Sequence, residues 1–168
     1  GGILRIYHEL SLRNKKNQFK DCIVFSGDIV AHESILERLI EEWEKLQKTT
    51  EKNCYDALMS SLKLTEDRKD VLWVSDNREE VTGYGEKDFS EAKQKNWQPR
   101  LFSNHQILSH RNFSNLMKND TELQIPKESS ISLFYKNIIF SGQKIKHIDY
   151  SENYYWFNVG THNEYIDC

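Results

Sequence analysis

The chain has 168 residues, 29% of them charged and 12% aromatic, with a net charge of −3. That length suits one compact domain with a core of its own, and the aromatic content excludes a disordered chain. The slightly acidic balance speaks against a dedicated nucleic-acid binder, whose affinity rests on a basic face.

Cys22, Cys54 and Cys168 are too widely spaced to form a CxxC pair, which argues against a zinc knuckle or a disulfide framework. No apolar run approaches the roughly 18 residues of a membrane helix. Two glycosylation sequons, at Asn112 and Asn119, follow no signal peptide, so the expected home is a reducing cytoplasm. Gly1-Gly2 in place of a methionine reads as a tag scar or the start of a fragment.

In chain order, residues 3–10 read as a strand, and a basic loop rich in lysine and asparagine follows to Lys20. Residues 22–26 form a short apolar strand stopped by Gly27-Asp28. Ile35, Leu36, Leu39, Ile40, Trp43 and Leu46 then recur at three- and four-residue steps, which predicts an amphipathic helix over 31–48. Its polar face carries Glu33, Glu37, Glu41 and Glu44. Tyr55, Leu58 and Leu62 predict a second, shorter helix, and residues 71–74 a strand.

The stretch from 78 to 128 is harder to read. Gly83-Tyr84-Gly85 predicts a turn, helices are expected near 88–96 and 112–118, and His105 and His110 are placed on a surface loop. From residue 130 the pattern turns to strands, over 131–140, 144–150 and 154–159, with short turn-like separators that predict an antiparallel meander. The expected architecture is a single α+β domain over residues 1–168, its C-terminal meander packed against one long amphipathic helix and shorter helices.

Chemistry is sparse. The sequence has no HExxH, no GxSxG elbow and no P-loop. His147 and Asp149 stand at i, i+2, which places them on one face of a strand as a base held by a carboxylate. Asp28, His32 and Glu33 could take a divalent metal for phosphate chemistry. Ser26-Gly27-Asp28, between a strand and a helix, could receive an anion, although Asp28 disfavours phosphate unless a metal intervenes. Each pair also reads as an ordinary solvated polar row.

The C-terminal rings are the other feature. Alternation sends Tyr154 and Trp156 to one face and Tyr155 and Phe157 to the other. With the acidic helix face, they suggest a non-enzymatic, inhibitor- or immunity-like module that needs no cofactor. It would meet a basic protein partner through Glu37, Glu41, Glu44, Tyr154, Trp156 and Tyr165, and no membrane. The competing expectation is a small metal-dependent enzyme acting on a phosphate-containing substrate.

Overall fold

The structure is a computed structural model that describes residues 21–48, 55–64, 71–75, 79–85, 95–111, 142–152 and 154–167. The elements run β1 (Cys22–Phe25), β2 (Ile29–Ala31), α1 (Ser34–Lys48), β3 (Ala57–Lys63), β4 (Val71–Ser75) and β5 (Glu80–Tyr84). They continue with β6 (Gln98–Leu108), β7 (Ile145–Asp149), β8 (Trp156–Asn158) and α2 (His162–Asp167).

Five strands close into a barrel. The order is β6-β3-β7-β5-β4, and β4 pairs back onto β6. All of these contacts are antiparallel except that of β3 with β7, which is parallel. The lumen is filled by side chains that the strands turn inward, among them Met59, Leu72, Val74, Phe102, Leu108 and Ile145. Closure removes the unpaired edges that an open sheet of this size would expose.

The long strand β6 serves two neighbours along one edge. Its first residues pair with β4 through Leu101 to Gln98, and its last pair with β1 through Leu108 to His105. Between them Asn104 adopts φ +62°, and the register with β3 shifts between Met59 and Ser61. A left-handed residue at a bulge bends a strand and re-aims its side chains. Across this bend β6 passes from β4 to β1 on one edge while staying paired with β3 on the other.

Helix α1 lies on the outside of the barrel. Ile35, Leu39 and Trp43 lock onto Leu58, Ile107, Ile148 and the fully buried Tyr150, whose hydroxyl donates to Ile35 O at 3.1 Å. Each fully buried apolar side chain of this size contributes roughly 1.5–3 kcal/mol. The helix start is held by His32, whose Nδ1 accepts from the Ser34 backbone N–H at 3.2 Å. Trp43 Nε1 donates to Asp21 Oδ2 at 2.7 Å, which fixes the middle of the helix to the start of β1. No helix among the described residues is long and apolar enough to cross a membrane.

The fold departs from the α+β expectation. The described chain is mostly strand, and its centre is a closed five-stranded barrel with extra strands, not a C-terminal meander under a helical layer. β7 inserts between β3 and β5, whereas β8 pairs with β2 in a separate two-stranded ribbon. The second helix expected around Tyr55 to Leu62 is strand β3, with Ala57, Leu58, Met59, Ser60 and Ser61 all buried. Gly83 and Tyr84 belong to strand β5, not to a turn. His105, expected on a surface loop, is buried inside β6, and His110 is exposed just beyond it. The strands expected over 3–10 and 131–140, the helix over 112–118 and most of that over 88–96 lie outside the described residues.

Candidate functional site

Two polar groupings are built on this frame, the second of them a cleft. The first gathers where β1 ends and the β2–β8 ribbon begins. After Phe25 the chain turns through Ser26, Gly27 and Asp28, and the Ser26 N–H donates to Asn104 O at 3.3 Å, across the bend of β6. Ser26 Oγ hydrogen-bonds Asp28 Oδ1, which orients the carboxylate. From the other side, Ile29 pairs with Asn158, and the Val159 N–H donates to Asp28 O at 2.8 Å.

Gly160 completes the apposition. A Cβ on it would stand 3.2 Å from Asp28 Oδ2 and 3.5 Å from Asn158 Oδ1, so the missing side chain is what lets both oxygens approach this backbone. Below them Trp156 Nε1 donates to Ser103 O at 3.0 Å, tying β8 to the bend of β6. His105 packs its ring edge-on against Phe25 at 5.1 Å. Its Nδ1 has no hydrogen-bond partner, and burial holds the imidazole below its ordinary pKa.

The cleft lies between α1 and β7, with a volume of about 280 Å³. His147 and Asp149 both line it, as their i, i+2 spacing allows. They are not a hydrogen-bonded pair among the described residues. His147 Nδ1 faces Ser61 Oγ at 3.2 Å, whereas Asp149 Oδ1 accepts from the Ser151 N–H at 2.9 Å and from Ser151 Oγ. Arg100 stands 3.3 Å from Asp149 Oδ2. Burial pushes His147 below its ordinary value. Burial also pulls the Asp149 carboxyl upward, but the Ser151 hydrogen bonds and the Arg100 charge outweigh it and leave the group below the usual carboxylate range.

The remaining expected residues are dispersed. Asp28, His32 and Glu33 do not converge: among the described residues no three His, Cys, Asp or Glu side chains gather as a metal would need. His32 is instead packed against the rings of Tyr154 and Tyr155, at 5.5 and 5.2 Å. Glu33, just before α1, and Glu37, Glu41 and Glu44 on it are exposed. Tyr154 and Trp156 are half-buried, and Tyr154 OH receives Arg38 Nη1 at 3.3 Å. The rings left outside are Tyr155 and Phe157, stacked at 6.1 Å. Tyr165 lies in α2, and its side chain is outside the described residues, as is that of Glu164. Because that tail is helical, His162 and Glu164 do not share a strand face.

Sequence reasoning missed Asn158, Gly160 and the Asn104 bend. The run Trp156-Phe157-Asn158-Val159-Gly160 carried one usable signal, a glycine just past a strand end.

No protein-family model matches the chain, and no curated protein resembles it in sequence. Solved structures do share its fold. One is a candidate glucose-1-phosphate thymidylyltransferase from Bacillus anthracis, with a TM-score of 0.62 at 16% identity, over 95% of this chain and 57% of that one. A second is the nucleoside-diphosphate-sugar pyrophosphorylase from Vibrio cholerae RC9, with a TM-score of 0.58 at 13% identity, over 96% and 60%. A third is the inositol-1-phosphate CTP transferase from T. maritima, with a TM-score of 0.57 at 12% identity, over 94% and 56%. At such identities the likeness is one of fold, and the chain spans under two thirds of the length of each neighbour.

Proposed function

We propose that the chain is a nucleotidyltransferase-type domain that binds a nucleotide at the strand-end polar group around Asp28. The observation that carries this reading is the meeting of Asp28 and Asn158 over Gly160, at the carboxyl ends of β1 and β8. The solved structures that share the fold carry the names of a thymidylyltransferase, a nucleoside-diphosphate-sugar pyrophosphorylase and a CTP transferase.

The chemistry matches the donors. In nucleotidyl transfer a phosphate oxygen of a sugar or polyol phosphate attacks the α-phosphorus of a nucleoside triphosphate. The bond from that phosphorus to the bridging oxygen breaks, and pyrophosphate leaves. A magnesium ion accompanying the triphosphate takes oxygen ligands and draws most of them from phosphates and water. Asp28 and Asn158 offer protein oxygens of that kind, with the Asp28 carboxylate oriented by Ser26. The non-enzymatic inhibitor expected from the acidic helix face finds no support in the fold likeness.

The test is a thermal-shift and calorimetric panel of nucleoside triphosphates and nucleotide sugars, each with magnesium. A nucleotide that binds the native state raises its melting temperature by mass action. Stabilisation by at least one nucleotide, lost in Asp28→Ala, supports the reading. A panel that leaves the melting temperature unmoved ends it.

A further inference from the structure

We propose that the cleft between α1 and the β5–β7 seam is a second binding site, which takes the phosphate or carboxylate group of a small molecule through Arg38 and His147. None of its lining residues belongs to the strand-end group around Asp28, and it does not depend on the nucleotide reading.

The cleft exists because the barrel is thinnest there. Among the described residues β5 joins β7 through the single pair Glu80–Lys146, extended by the His147 N–H donating to Glu79 O at 3.1 Å. Beside that pair the end of β7, Ile148 and Asp149, lines the cleft together with Arg38, Glu42 and Leu46 of α1. Leu46, Leu58 and Ile148 supply an apolar floor. The volume of about 280 Å³ lies at the small end of ligand clefts and suits a single ring bearing one anionic group.

Charge decides the class of ligand. Three carboxylates line the cleft, and each is answered by a cation: Glu79 by Lys146, Asp149 by Arg100 at 3.3 Å, and Glu42 by Lys45 at 2.7 Å. Arg38 also lines it, and no carboxylate among the described residues lies within ion-pair distance of its guanidinium. That group sits 5.5 Å from the Tyr150 ring centre and 5.7 Å from that of Tyr154, with one N–H on Tyr154 OH. Stacking holds the planar fork in place with donors to spare, the arrangement that suits carboxylate or phosphate. His147 adds a polar edge: its Nδ1 is turned to Ser61, which leaves Nε2 as the ring's other polar atom. Among the described residues, the uncompensated charge of the cleft wall is therefore positive.

The test titrates the labelled chain with phenyl phosphate and, separately, with benzoate, following the His147 ring signals by NMR. A saturable shift in either arm is expected, and comparing the arms tells phosphate from carboxylate. Arg38→Gln should weaken the binding about tenfold, Arg38→Lys should weaken it less, and Asp28→Ala should leave it intact. His147 signals unmoved in both arms up to about 10 mM would overturn the site. So would wild-type affinity in Arg38→Gln, or a shift that disappears in Asp28→Ala, which would assign the anion to the strand-end group around Asp28. Should Arg38→Gln not fold, the wild-type arms and Asp28→Ala decide alone.

Discussion

Asp28, in the turn before β2, and Asn158, at the end of β8, both approach Gly160, and the pairing of Ile29 with Asn158 joins these two segments, which lie more than half the chain apart. Their approach depends on an absent side chain. Gly160→Ala places a Cβ 3.2 Å from Asp28 Oδ2, closer than ordinary van der Waals contact, so the carboxylate must give by a few tenths of an ångström. The expected outcome is nucleotide affinity lowered about tenfold, measured by calorimetry, with a stability change under about 1 kcal/mol, since the mutated backbone is exposed. Unchanged affinity in a folded Gly160→Ala protein would show that Asp28 does not need that position.

Asp56 joins three segments. Its Oδ1 accepts from Arg111 Nε at 3.0 Å and Nη2 at 2.7 Å, and its Oδ2 accepts from the Lys144 N–H at 3.0 Å. The carboxylate therefore ties the start of β3 to the approach to β7 and the exit of β6. Asp56→Ala should cost about 2 kcal/mol in urea unfolding, the value for charge-assisted hydrogen bonds discounted for the half-exposed Arg111. Asp56→Asn should cost less. A loss below about 0.5 kcal/mol in the alanine variant would mean that water replaces the carboxylate freely.

The two sides of α1 differ sharply. Leu39 is fully buried against the barrel, whereas Leu36 is 38% exposed. Leu39→Ala should destabilise by about 2–5 kcal/mol through lost burial and the cavity left behind. Leu36→Ala should stay within about 1 kcal/mol. Equal costs in denaturant titrations would contradict the helix orientation.

Acid should loosen the fold before its carboxylates titrate. Burial depresses both His105 and His147 below the ordinary 6.5, so near and below that pH the unfolded chain binds more protons than the native one. Stability is then full above about pH 7 and falls as the pH drops through the depressed values. Glu79, lowered by its bond to Lys146, and Asp149 add a further loss below the normal carboxylate range. Urea midpoints between about pH 5 and pH 8 should fall on the acid side, and a His105→Gln, His147→Gln double variant should flatten that fall. Midpoints that rise on acidification would contradict the burial of both imidazoles.

Some of this was legible from residues in order. The 3.6-residue spacing of Ile35, Leu39 and Trp43 marks a helix because one face of α1 is wet and the other dry. The spacing of Tyr55, Leu58 and Leu62 misleads for the opposite reason. β3 is covered on both faces, by the lumen and by α1, so burial no longer follows strand alternation. β6 hid for a similar reason: Ser103, His105 and Gln106 are buried, and Asn104 breaks the alternation with a left-handed bend. His147 and Asp149 were legible as residues of one strand face, but not that His147 turns to Ser61 while Asp149 accepts from Ser151 and stands by Arg100.

By itself the sequence determined local matters: where one helix runs, which of the last rings point the same way, and that no catalytic motif of fixed spacing is present. Such features depend on neighbours a few residues apart. Tertiary structure alone decided that the strands close into a barrel, that β7 lies parallel to β3, and that Asp28 meets Asn158. Those contacts join residues far apart in the chain, and their energy comes from burial and pairing that no local window of residues contains.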